Sequence, residues 1–398
     1  GENCRPSQPP PPDRDYASRT ERSLRKKVFH VITELETGGA EWMLVKLVSA
    51  SDRRKVSHSV VSMTGEDSLG KCIKEAGIPL FTLGMKRGRP SLRSLIRFVR
   101  ILKKEKPDVL QTWLYHADLF GLIAGKLAGV RRIFWNVRCS DMEMTHYSRL
   151  SSWLVPILAR LSSLPEMVIV NSEAGREQHI LRGYSPKSWR VIFNGFDLEE
   201  FRPDEGAKSK LCGELGVPPD SVLAGMIARY DPMKGHAGFL QSAGLVGKKY
   251  PEVHFVLAGK GVTLENAELR RNIEHLSLEG RFHLLGERGD IPALMPGFDF
   301  LCLPSVFGEG FSNVIGEGMA CGVPCVATDV GDSKHIVGET GRIMSPGDPA
   351  ALAEAMGEFV VMGAEGRRKL GEAARRRVGD LFNLPAVVTE YERIYAEG

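Results

Sequence analysis

Apolar residues occur along the chain in short runs, and these runs alternate with longer segments of helical periodicity. The runs are rich in valine, isoleucine, leucine and phenylalanine, which is typical of strands buried on both faces of a parallel sheet. In the first half, a helix from about Gly39 to Ser49 follows the first run. The runs that predict strands in this half are Val28–Thr33, Ser59–Met63, Pro79–Leu83, Val109–Thr112, Arg132–Val137, Met167–Asn171 and Arg190–Phe193.

The regular pattern is interrupted between Asn194 and Pro219, where the chain is polar and contains glycine and proline. We interpret this stretch as a linker with one short helix. A second series of runs follows it, and the segment from Ala350 to Gly398 has the pattern of helices almost throughout. The runs of the second series are Val222–Ala228, His254–Ala258, Phe282–Leu284, Phe300–Leu303 and Pro324–Ala327.

Two successive series of strand–helix units predict an α/β fold made of two Rossmann-like domains that face each other across a cleft. A chain of 398 residues is also too long for one ordinary hydrophobic core. We expect a disordered tail over residues 1–26, a first domain over 27–200 and a second domain over 201–375. The last helix, over 376–398, is expected to pack back on the first domain.

The composition narrows the class of protein. Hydrophobic residues make up 42% and charged residues 26% of the chain, which excludes collagen-like, disordered and multi-span membrane classes. The seven cysteines form no Cys-x-x-Cys motif, and residues 1–15 are polar and proline-rich, so we expect a cytoplasmic protein without a secretory signal. The net charge of +4 is too small to indicate a nucleic-acid partner.

Basic residues concentrate between Lys86 and Lys106, where they alternate with apolar ones in the pattern of an amphipathic helix. One interpretation is an ordinary surface helix with a solvated basic face. The other is a helix that contacts an anionic membrane surface as a peripheral protein does. The basic residues at the centre of this pattern are Arg93, Arg97, Arg100, Lys103 and Lys104.

The clearest candidate for a binding site follows the run at Phe300–Leu303. A turn containing Gly308 and Gly310 leads to Ser312, a residue type that favours the N-cap of a helix. The free amides at the start of such a helix attract phosphate groups. The amides in question belong to Asn313, Val314 and Ile315.

Two glutamates flank this predicted helix start. Glu317 falls about five residues into the helix, roughly 7 Å along its axis, where a carboxylate can accept hydrogen bonds from both ribose hydroxyls of a nucleoside diphosphate. Glu309 lies on the turn, on the opposite side of the phosphates, where a sugar would be. The alternative is that both are ordinary solvated carboxylates, as most glutamates are. The glycines, the cap and the preceding strand favour the binding site.

Two cations follow the first strand of the second series. Arg229 and Lys234 lie on one loop, with Gly235 directly after them, and they can converge on a single diphosphate. They would supply charge to a leaving group without a metal ion. The alternative is that they form surface salt bridges with Asp231 or a neighbouring glutamate.

Weaker candidates follow strands of the first half. Gly38 and Gly39 allow close backbone approach to a ligand, and Gly39 begins a helix, although such a turn is also common as plain structure. His116 lies just past a strand end, where it could contact a sugar hydroxyl, but a lone histidine is often structural. Arg138 and Asp141 follow another strand, on a loop that would face an acceptor.

Together these residues resemble the motifs of the retaining glycosyltransferases of family four, which have the GT-B fold. The resemblance covers nearly the whole chain from Lys27 onward. Its most specific part is the pair of glutamates Glu309 and Glu317, and Arg229 and Lys234 stand at the family's spacing.

The resemblance implies transfer of a sugar from a nucleoside diphosphate, with retention of the anomeric configuration and with no metal ion or other cofactor. It assigns Glu317 to the ribose, Arg229 and Lys234 to the diphosphate, Glu309 to donor-sugar hydroxyls, and His116 to the sugar near the acceptor. The loop at Gly38–Gly39 would close over the phosphates, and Leu285 and Glu287 would meet the base. The remaining donor-site positions are Gly310, Phe311, Ser312, Asn313 and Val314.

For the substrates, the resemblance favours a UDP-sugar, with a GDP-sugar as the alternative donor. The implied acceptor is lipid-linked or a saccharide, in the synthesis of cell-surface polysaccharide, lipopolysaccharide or glycolipid at the inner face of the membrane. Metal-dependent transferases of the other major fold use an Asp-x-Asp pair at a strand end. The only such pair in this sequence is Asp13 and Asp15, in the predicted disordered tail, and we interpret it as a coincidence.

Two other functions compete with this interpretation. A dinucleotide-dependent sugar-nucleotide enzyme would also contain parallel sheets, but Leu264 stands where the third glycine after Gly259 and Gly261 should be. A non-catalytic nucleotide-sugar-binding protein would keep the pocket and transfer nothing. An assay for release of nucleoside diphosphate distinguishes it from an enzyme.

Overall fold

The computed structural model describes residues 25–36, 38–86, 89, 91–138, 149–278 and 280–397, and it describes the side chains of the fifth segment from residue 153 onward. The predicted tail therefore lies almost wholly outside the described residues. Asp13, Asp15 and Asp141 lie outside them as well.

The first half of the chain forms a parallel sheet of seven strands in the order β3-β2-β1-β4-β5-β6-β7. The order changes direction between β1 and β4, so the loops after these two strands lie side by side at the carboxyl edge. The strands are β1 Lys26–Ile32, β2 Val56–Ser62, β3 Leu80–Thr82, β4 Val109–Trp113, β5 Arg132–Val137, β6 Met167–Val170 and β7 Trp189–Val191.

The second half repeats this design with six parallel strands in the order β10-β9-β8-β11-β12-β13. The change of direction here falls between β8 and β11. The strands are β8 Val222–Ile227, β9 Val253–Ala258, β10 Phe282–Leu284, β11 Phe300–Leu303, β12 Cys325–Thr328 and β13 Arg342–Met344.

Helices connect the strands and cover both faces of each sheet, as parallel strands require. In the first half they are α1 Gly39–Ala50, α2 Gly70–Glu75, α3 Leu92–Glu105, α4 Tyr115–Ala128, α5 Arg149–Leu161 and α6 Glu173–Leu181. In the second half they are α7 Ala207–Leu215, α8 His236–Lys249, α9 Ala267–Glu274, α10 Ile291–Leu294, α11 Asn313–Ala320, α12 Ser333–Val337, α13 Pro349–Val361, α14 Gly363–Leu381 and α15 Leu384–Ala396.

These elements confirm the predicted α/β fold of two Rossmann-like domains. Each predicted strand is present, with ends shifted by a few residues. The strand that the pattern missed is β13, Arg342–Met344, because it has three half-buried residues and lies at the edge of its sheet. The pattern also places the basic helix correctly, with Phe98 and Leu102 of α3 buried.

The chain crosses between the two halves at two places that lie side by side. Phe196 pairs with Asn383 in an isolated bridge, and the amide of Phe196 donates to the carbonyl of Phe382 at 2.8 Å. Helix α14 packs in the core of the second half through Ala374 and Val378. The limits of the two domains given above remain our proposal.

After the second crossing, α15 lies on the first sheet. Its buried face includes Tyr391 and Tyr395, which pack among residues of β1, β4 and β5. Arg132 of β5 donates hydrogen bonds to the carbonyls of Tyr395 and Ile394, at 3.0 and 3.1 Å. Helix α15, the last helix, thus completes the hydrophobic core of the first half of the molecule.

Candidate active site

The loops after β8 and β11 pack against each other at the switch point of the second sheet. The amide of Val306 donates to the carbonyl of Met233 at 2.8 Å. Gly235 has φ +71°, and a Cβ built there would lie 2.0 Å from the carbonyl oxygen of Pro304. A glycine is therefore needed for this close approach.

Lys234 and Glu309 meet across these two loops. The ammonium nitrogen of Lys234 lies 2.5 Å from Oε1 of Glu309, and both side chains are largely buried. The hydroxyl of Ser305 donates to the same carboxylate oxygen at 2.7 Å. The ammonium has three N–H donors, so it can hold Glu309 and still donate to a ligand.

Arg229 lies on the same loop as Lys234, but its contact is different. Its guanidinium pairs with Asp231 at 3.1 Å, and its side chain is 51% exposed. Arg229 therefore forms the surface salt bridge that the alternative interpretation predicts. Asp231 also accepts a hydrogen bond from the amide of Met233 at 3.0 Å, which fixes the loop around the cation.

Helix α11 begins after the loop that carries Glu309. Ser312 occupies the N-cap position with an extended backbone, φ −77° and ψ 111°, but its hydroxyl makes no capping hydrogen bond. The prediction that Ser312 is the N-cap and that the helix starts at Asn313 is confirmed. A helix start without a side-chain cap leaves its first amides to other partners.

Glu317 is the fifth residue of α11, as predicted. Burial raises the pKa of its carboxyl, and Glu200 raises it further, whereas the positive charge of Lys46 lowers it. Lys46 belongs to α1 of the first half, and its ammonium lies 5.4 Å from the ring centre of Phe201. Charge from the facing domain therefore acts on the predicted ribose-binding carboxylate.

Helix α1 begins directly opposite α11. Gly38 is its N-cap, and a Cβ built on Gly39 would lie 3.1 Å from Nδ2 of Asn313. The first turns of the two helices thus approach each other from the two halves of the molecule. The carboxylate of Glu41 turns back toward Gly38, and burial raises the pKa of that carboxyl.

His116 and the loop at Leu285 follow strand ends in the first and second sheets, respectively. His116 is exposed in the first turn of α4, directly after β4, and thus at the switch point of the first sheet. Leu285 is half-buried and Glu287 is exposed, on the loop after β10. The carbonyl of Gly286 accepts a hydrogen bond from the amide of Gly259 at 2.7 Å, which ties this loop to the one after β9.

Three of the predicted donor-site residues have structural roles as well. The Phe311 ring is buried and packs against Phe193 and Phe382, with ring centres 5.5 and 5.2 Å away, so it can offer a ligand only its backbone. The carbonyl of Gly310 accepts from the amide of Asp332 at 2.9 Å. Val314 is half-buried and packs against the core of the second half.

Asn194, which was not predicted as a site residue, lies buried at the first crossing between the halves. Its side chain accepts a hydrogen bond from Arg138 and donates one to Oδ1 of Asn313 at 2.6 Å. Arg138 itself is buried and lies 5.0 Å from the ring centre of Trp113. Asn194 belongs to no charged motif, and periodicity does not predict where the chain crosses between the halves, so its position beside Asn313 could not be predicted.

Asp332 is another contact between the halves that was not predicted. It accepts hydrogen bonds from the amides of Glu173 and Ala174, at 2.8 and 3.0 Å, at the start of α6. Burial raises the pKa of its carboxyl, and these two amides lower it. A carboxylate of the second half thus caps a helix of the first.

Within the segments that the structure describes, no cluster of three or more histidine, cysteine or carboxylate side chains is arranged to hold a metal ion. In the same segments, no helix is both long enough and apolar enough to cross a bilayer.

Comparison with known families identifies both halves. Residues 37–200 match the family described as Glycosyltransferase Family 4, and residues 221–361 match the one described as Glycosyl transferases group 1. The two segments include the candidate residues at 38–39, 116, 229–234 and 309–317. Both matches agree with the resemblance drawn from the motifs.

Individual relatives support the same family. The chain is 27% identical to the candidate glycosyltransferase EpsF of Bacillus subtilis, over 92% of this chain and 98% of the relative. It is 29% identical to the UDP-Gal:alpha-D-GlcNAc-diphosphoundecaprenol alpha-1,3-galactosyltransferase of Escherichia coli, over 62% of this chain and 64% of that enzyme. The crystal structure of Anabaena Alr3699/HepE in complex with UDP-glucose superposes with a TM-score of 0.78 at 25% identity, over 92% of this chain and 98% of that one.

The two facing Rossmann-like domains, the charged loops at both switch points and the family matches lead to one conclusion. The chain belongs to the family-four glycosyltransferases of GT-B fold and is a nucleotide-sugar-dependent glycosyltransferase.

Proposed function

We propose that this enzyme transfers a sugar from a UDP-sugar to a lipid-linked or saccharide acceptor of cell-surface polysaccharide synthesis, with retention of configuration and without a metal ion. The observation that carries the proposal is the approach of two helix starts, at Gly39 and Asn313, beside the Lys234–Glu309 pair. Free amides and an ammonium group around one gap suit a diphosphate.

The reaction needs negative charge to be stabilised where it develops. When the bond between the sugar and the diphosphate breaks, the terminal phosphate gains charge and the sugar becomes oxocarbenium-like. Lys234 and the first amides of α11 are our candidates to stabilise that phosphate, and such preorganised donors contribute about 10²–10³ in rate each. Arg229 is half-exposed and would leave Asp231 to join them.

Retention is our proposal for the stereochemical course. The acceptor oxygen would attack the anomeric carbon on the face from which the diphosphate leaves, and its proton would pass to a departing phosphate oxygen. Glu309 accepts hydrogen bonds from Lys234 and Ser305 at 2.5 and 2.7 Å, so we assign it to donor-sugar hydroxyls rather than to nucleophilic attack. His116 is our candidate for contact with the sugar near the acceptor.

The donor base and the acceptor are proposed by similarity. The Anabaena structure contains UDP-glucose, and the name of the E. coli enzyme contains UDP-Gal and a diphosphoundecaprenol-linked acceptor. We propose a UDP-sugar and a lipid-linked acceptor for this chain on that basis, with Glu317 on the ribose and the Leu285–Glu287 loop at the base.

A peripheral contact with an anionic membrane fits a lipid-linked acceptor. Helix α3 exposes Arg93, Arg97 and Arg100 together with Leu92 and Ile96. On α5, Trp153 is 75% exposed. Basic side chains beside exposed apolar ones suit the interface of an anionic bilayer. Binding to anionic vesicles should disappear when the three arginines are changed to glutamate, and undiminished binding would refute this contact.

A ligand panel tests the proposed function. Thermal unfolding with UDP-, GDP- and ADP-sugars should show the largest rise in Tm with UDP-sugars, because a ligand that binds the folded state stabilises it by mass action. With acceptor lipid present, release of UDP in EDTA and a product of unchanged anomeric configuration by NMR are expected. No stabilisation by any nucleotide sugar would contradict the proposal.

A further inference from the structure

Three side chains form a hydrogen-bonded relay across the two halves of the molecule. Arg138 after β5 donates to Oδ1 of Asn194, and Nδ2 of Asn194 donates to Oδ1 of Asn313 at 2.6 Å. Arg138 and Asn194 are buried. Asn313 is the first residue of α11, next to the amides proposed to bind the diphosphate.

The chemistry of arginine fixes the direction of this relay. A guanidinium has only N–H donors, so the atom of Asn194 that faces Arg138 must be the carbonyl oxygen. The amide nitrogen of Asn194 then faces Asn313, and the atom that receives it must be an oxygen. This assignment follows from donor and acceptor types, which decide the two ends of an asparagine amide.

The remaining end of the relay is the amide nitrogen of Asn313. With its oxygen turned to Asn194, its Nδ2 lies against Gly39, 3.1 Å from where a Cβ of that residue would be. Gly39 begins α1. The nitrogen therefore lies at the gap between the two helix starts, where it adds two N–H donors to their amides.

Other groups around the relay favour the same arrangement. Arg138 also donates to the hydroxyl of Tyr391 on α15 at 3.3 Å, so the last helix holds its guanidinium in place. The carboxylate of Glu41, beside Gly38, interacts favourably with the charge of Arg138. Gly316 permits α11 to lie on Phe196, two residues after Asn194. The backbone and the side chains thus fix Asn313 relative to the first half.

We propose that Asn313 donates a hydrogen bond from its side-chain nitrogen to the donor's diphosphate, and that Asn194 and Arg138 are positioning residues that hold this nitrogen toward the cleft. The inference rests on the proposed function, because it concerns the same anion. It adds a source of specificity, because the relay presents N–H donors to an anion in the cleft. The relay exists only when the two halves are in contact.

The test uses the affinity for UDP, measured by isothermal titration calorimetry on the full chain. Asn313→Ala should weaken UDP binding on the order of ten- to a hundredfold, since it removes a hydrogen bond to a charged group. Asn194→Asp should weaken it at least as much. An aspartate there still accepts from Arg138, but it has no hydrogen to give, so Asn313 must turn its nitrogen to Asp and its oxygen to the phosphate.

Two further variants distinguish a reversed Asn313 amide from the simple loss of its hydrogen bond with Asn194. Asn194→Ala frees Asn313 without reversing it, so it should cost less UDP affinity than Asn194→Asp. In the Asn313→Ala background, Asn194→Asp should lower UDP affinity little further, because the Asn313 amide whose orientation it would reverse is already absent. Asn272→Asp is the matched control: Asn272 lies in the last turn of α9 within the second half, outside the relay and the proposed site loops, and its replacement should leave UDP affinity unchanged.

The outcomes distinguish this inference from the proposed function. If wild-type protein binds no UDP, the proposed function fails. If wild-type protein binds UDP but Asn194→Asp binds it equally well, or if the losses in the double variant simply add, the relay is contradicted. An Asn194→Ala variant that is weaker than Asn194→Asp would contradict the assigned direction.

Discussion

Glu317 is half-buried in α11, and its pKa depends on a charge from the opposite domain. Burial raises the pKa, and Lys46 of α1 lowers it. The ionised carboxylate accepts the hydroxyls of ribose better than the neutral acid does, so UDP affinity should fall as pH decreases through this raised pKa. Lys46→Gln removes the opposing charge, raises the pKa further and should move the loss to higher pH. Calorimetric titrations with UDP between pH 5 and 8 check this shift, and identical profiles would contradict it.

We propose two roles for Lys234: it donates to the phosphate of the sugar donor, and it neutralises the buried carboxylate of Glu309. Lys234→Met keeps the length of the side chain but removes the proposed phosphate donor, so kcat should fall about 10²–10³-fold. It also leaves the buried Glu309 without its cation, so Tm should fall. Arg368→Met is the control, since Arg368 forms exposed pairs on α14, far from this site in the chain. A Lys234→Met enzyme within tenfold of wild-type kcat would exclude the assigned role.

For single side chains, the sequence reveals functional charges better than it reveals contacts. Glu309, Lys234 and Arg229 could be selected because carboxylates and cations after strands are unusual and have chemical meaning. Asn194 could not be selected, since a neutral amide gains its role only from the neighbours that the fold brings to it. Ser312 illustrates the same limit: the residue type predicts the N-cap position correctly, but it does not determine where the hydroxyl turns.

Among the elements, α11 is closely constrained by the first crossing segment. A Cβ on Gly316 would lie 2.0 Å from the ring of Phe196, so Gly316→Ala must displace either α11 or the crossing segment. We expect a loss of about 1–3 kcal/mol from overpacking and a weaker response to UDP.

A second helical glycine offers the matched comparison for this prediction. A Cβ on Gly213 of α7 would meet no neighbouring atom of the described residues within 4 Å, so Gly213→Ala should stabilise the protein by about 0.5–1 kcal/mol. Urea unfolding of both variants measures the two effects. Equal changes in stability would show that α11 is not held by this contact.

Periodicity predicts most elements because buried parallel strands are nearly continuous apolar runs. It fails for β13, whose three residues at a sheet edge include Arg342. It also cannot tell on which sheet a helix packs. The helical pattern after Ala350 is present as three helices, and only tertiary contacts show that α14 packs in one half and α15 in the other.

For the whole molecule, the cap that Asp332 provides to α6 holds the two halves together. Asp332→Ala removes the acceptor of the Glu173 and Ala174 amides, so the cleft should open more often. A larger radius of gyration by small-angle X-ray scattering and a higher KM for the donor are expected. Asp348→Ala removes a similar cap within the second half, on α13, and should lower Tm without expansion. Expansion in both variants, or in neither, would contradict the role of Asp332.

The overall architecture could be predicted because both halves repeat the strand–helix pattern around a break near residue 194. The relation between the halves could not, since it depends on single side chains such as Asp332 and Asn194 and on the return of α15. The candidate site lies where those contacts bring together loops from the two halves. Each of these loops could be predicted from the sequence on its own.

We propose that one diphosphate binds between the starts of α1 and α11 beside Lys234. A crystal structure of the protein with UDP would show where the phosphates lie. We expect phosphate oxygens within hydrogen-bond distance of the Lys234 ammonium and the first amides of α11, with the ribose at Glu317. UDP bound at another surface, or phosphates that contact neither Lys234 nor α11, would contradict it.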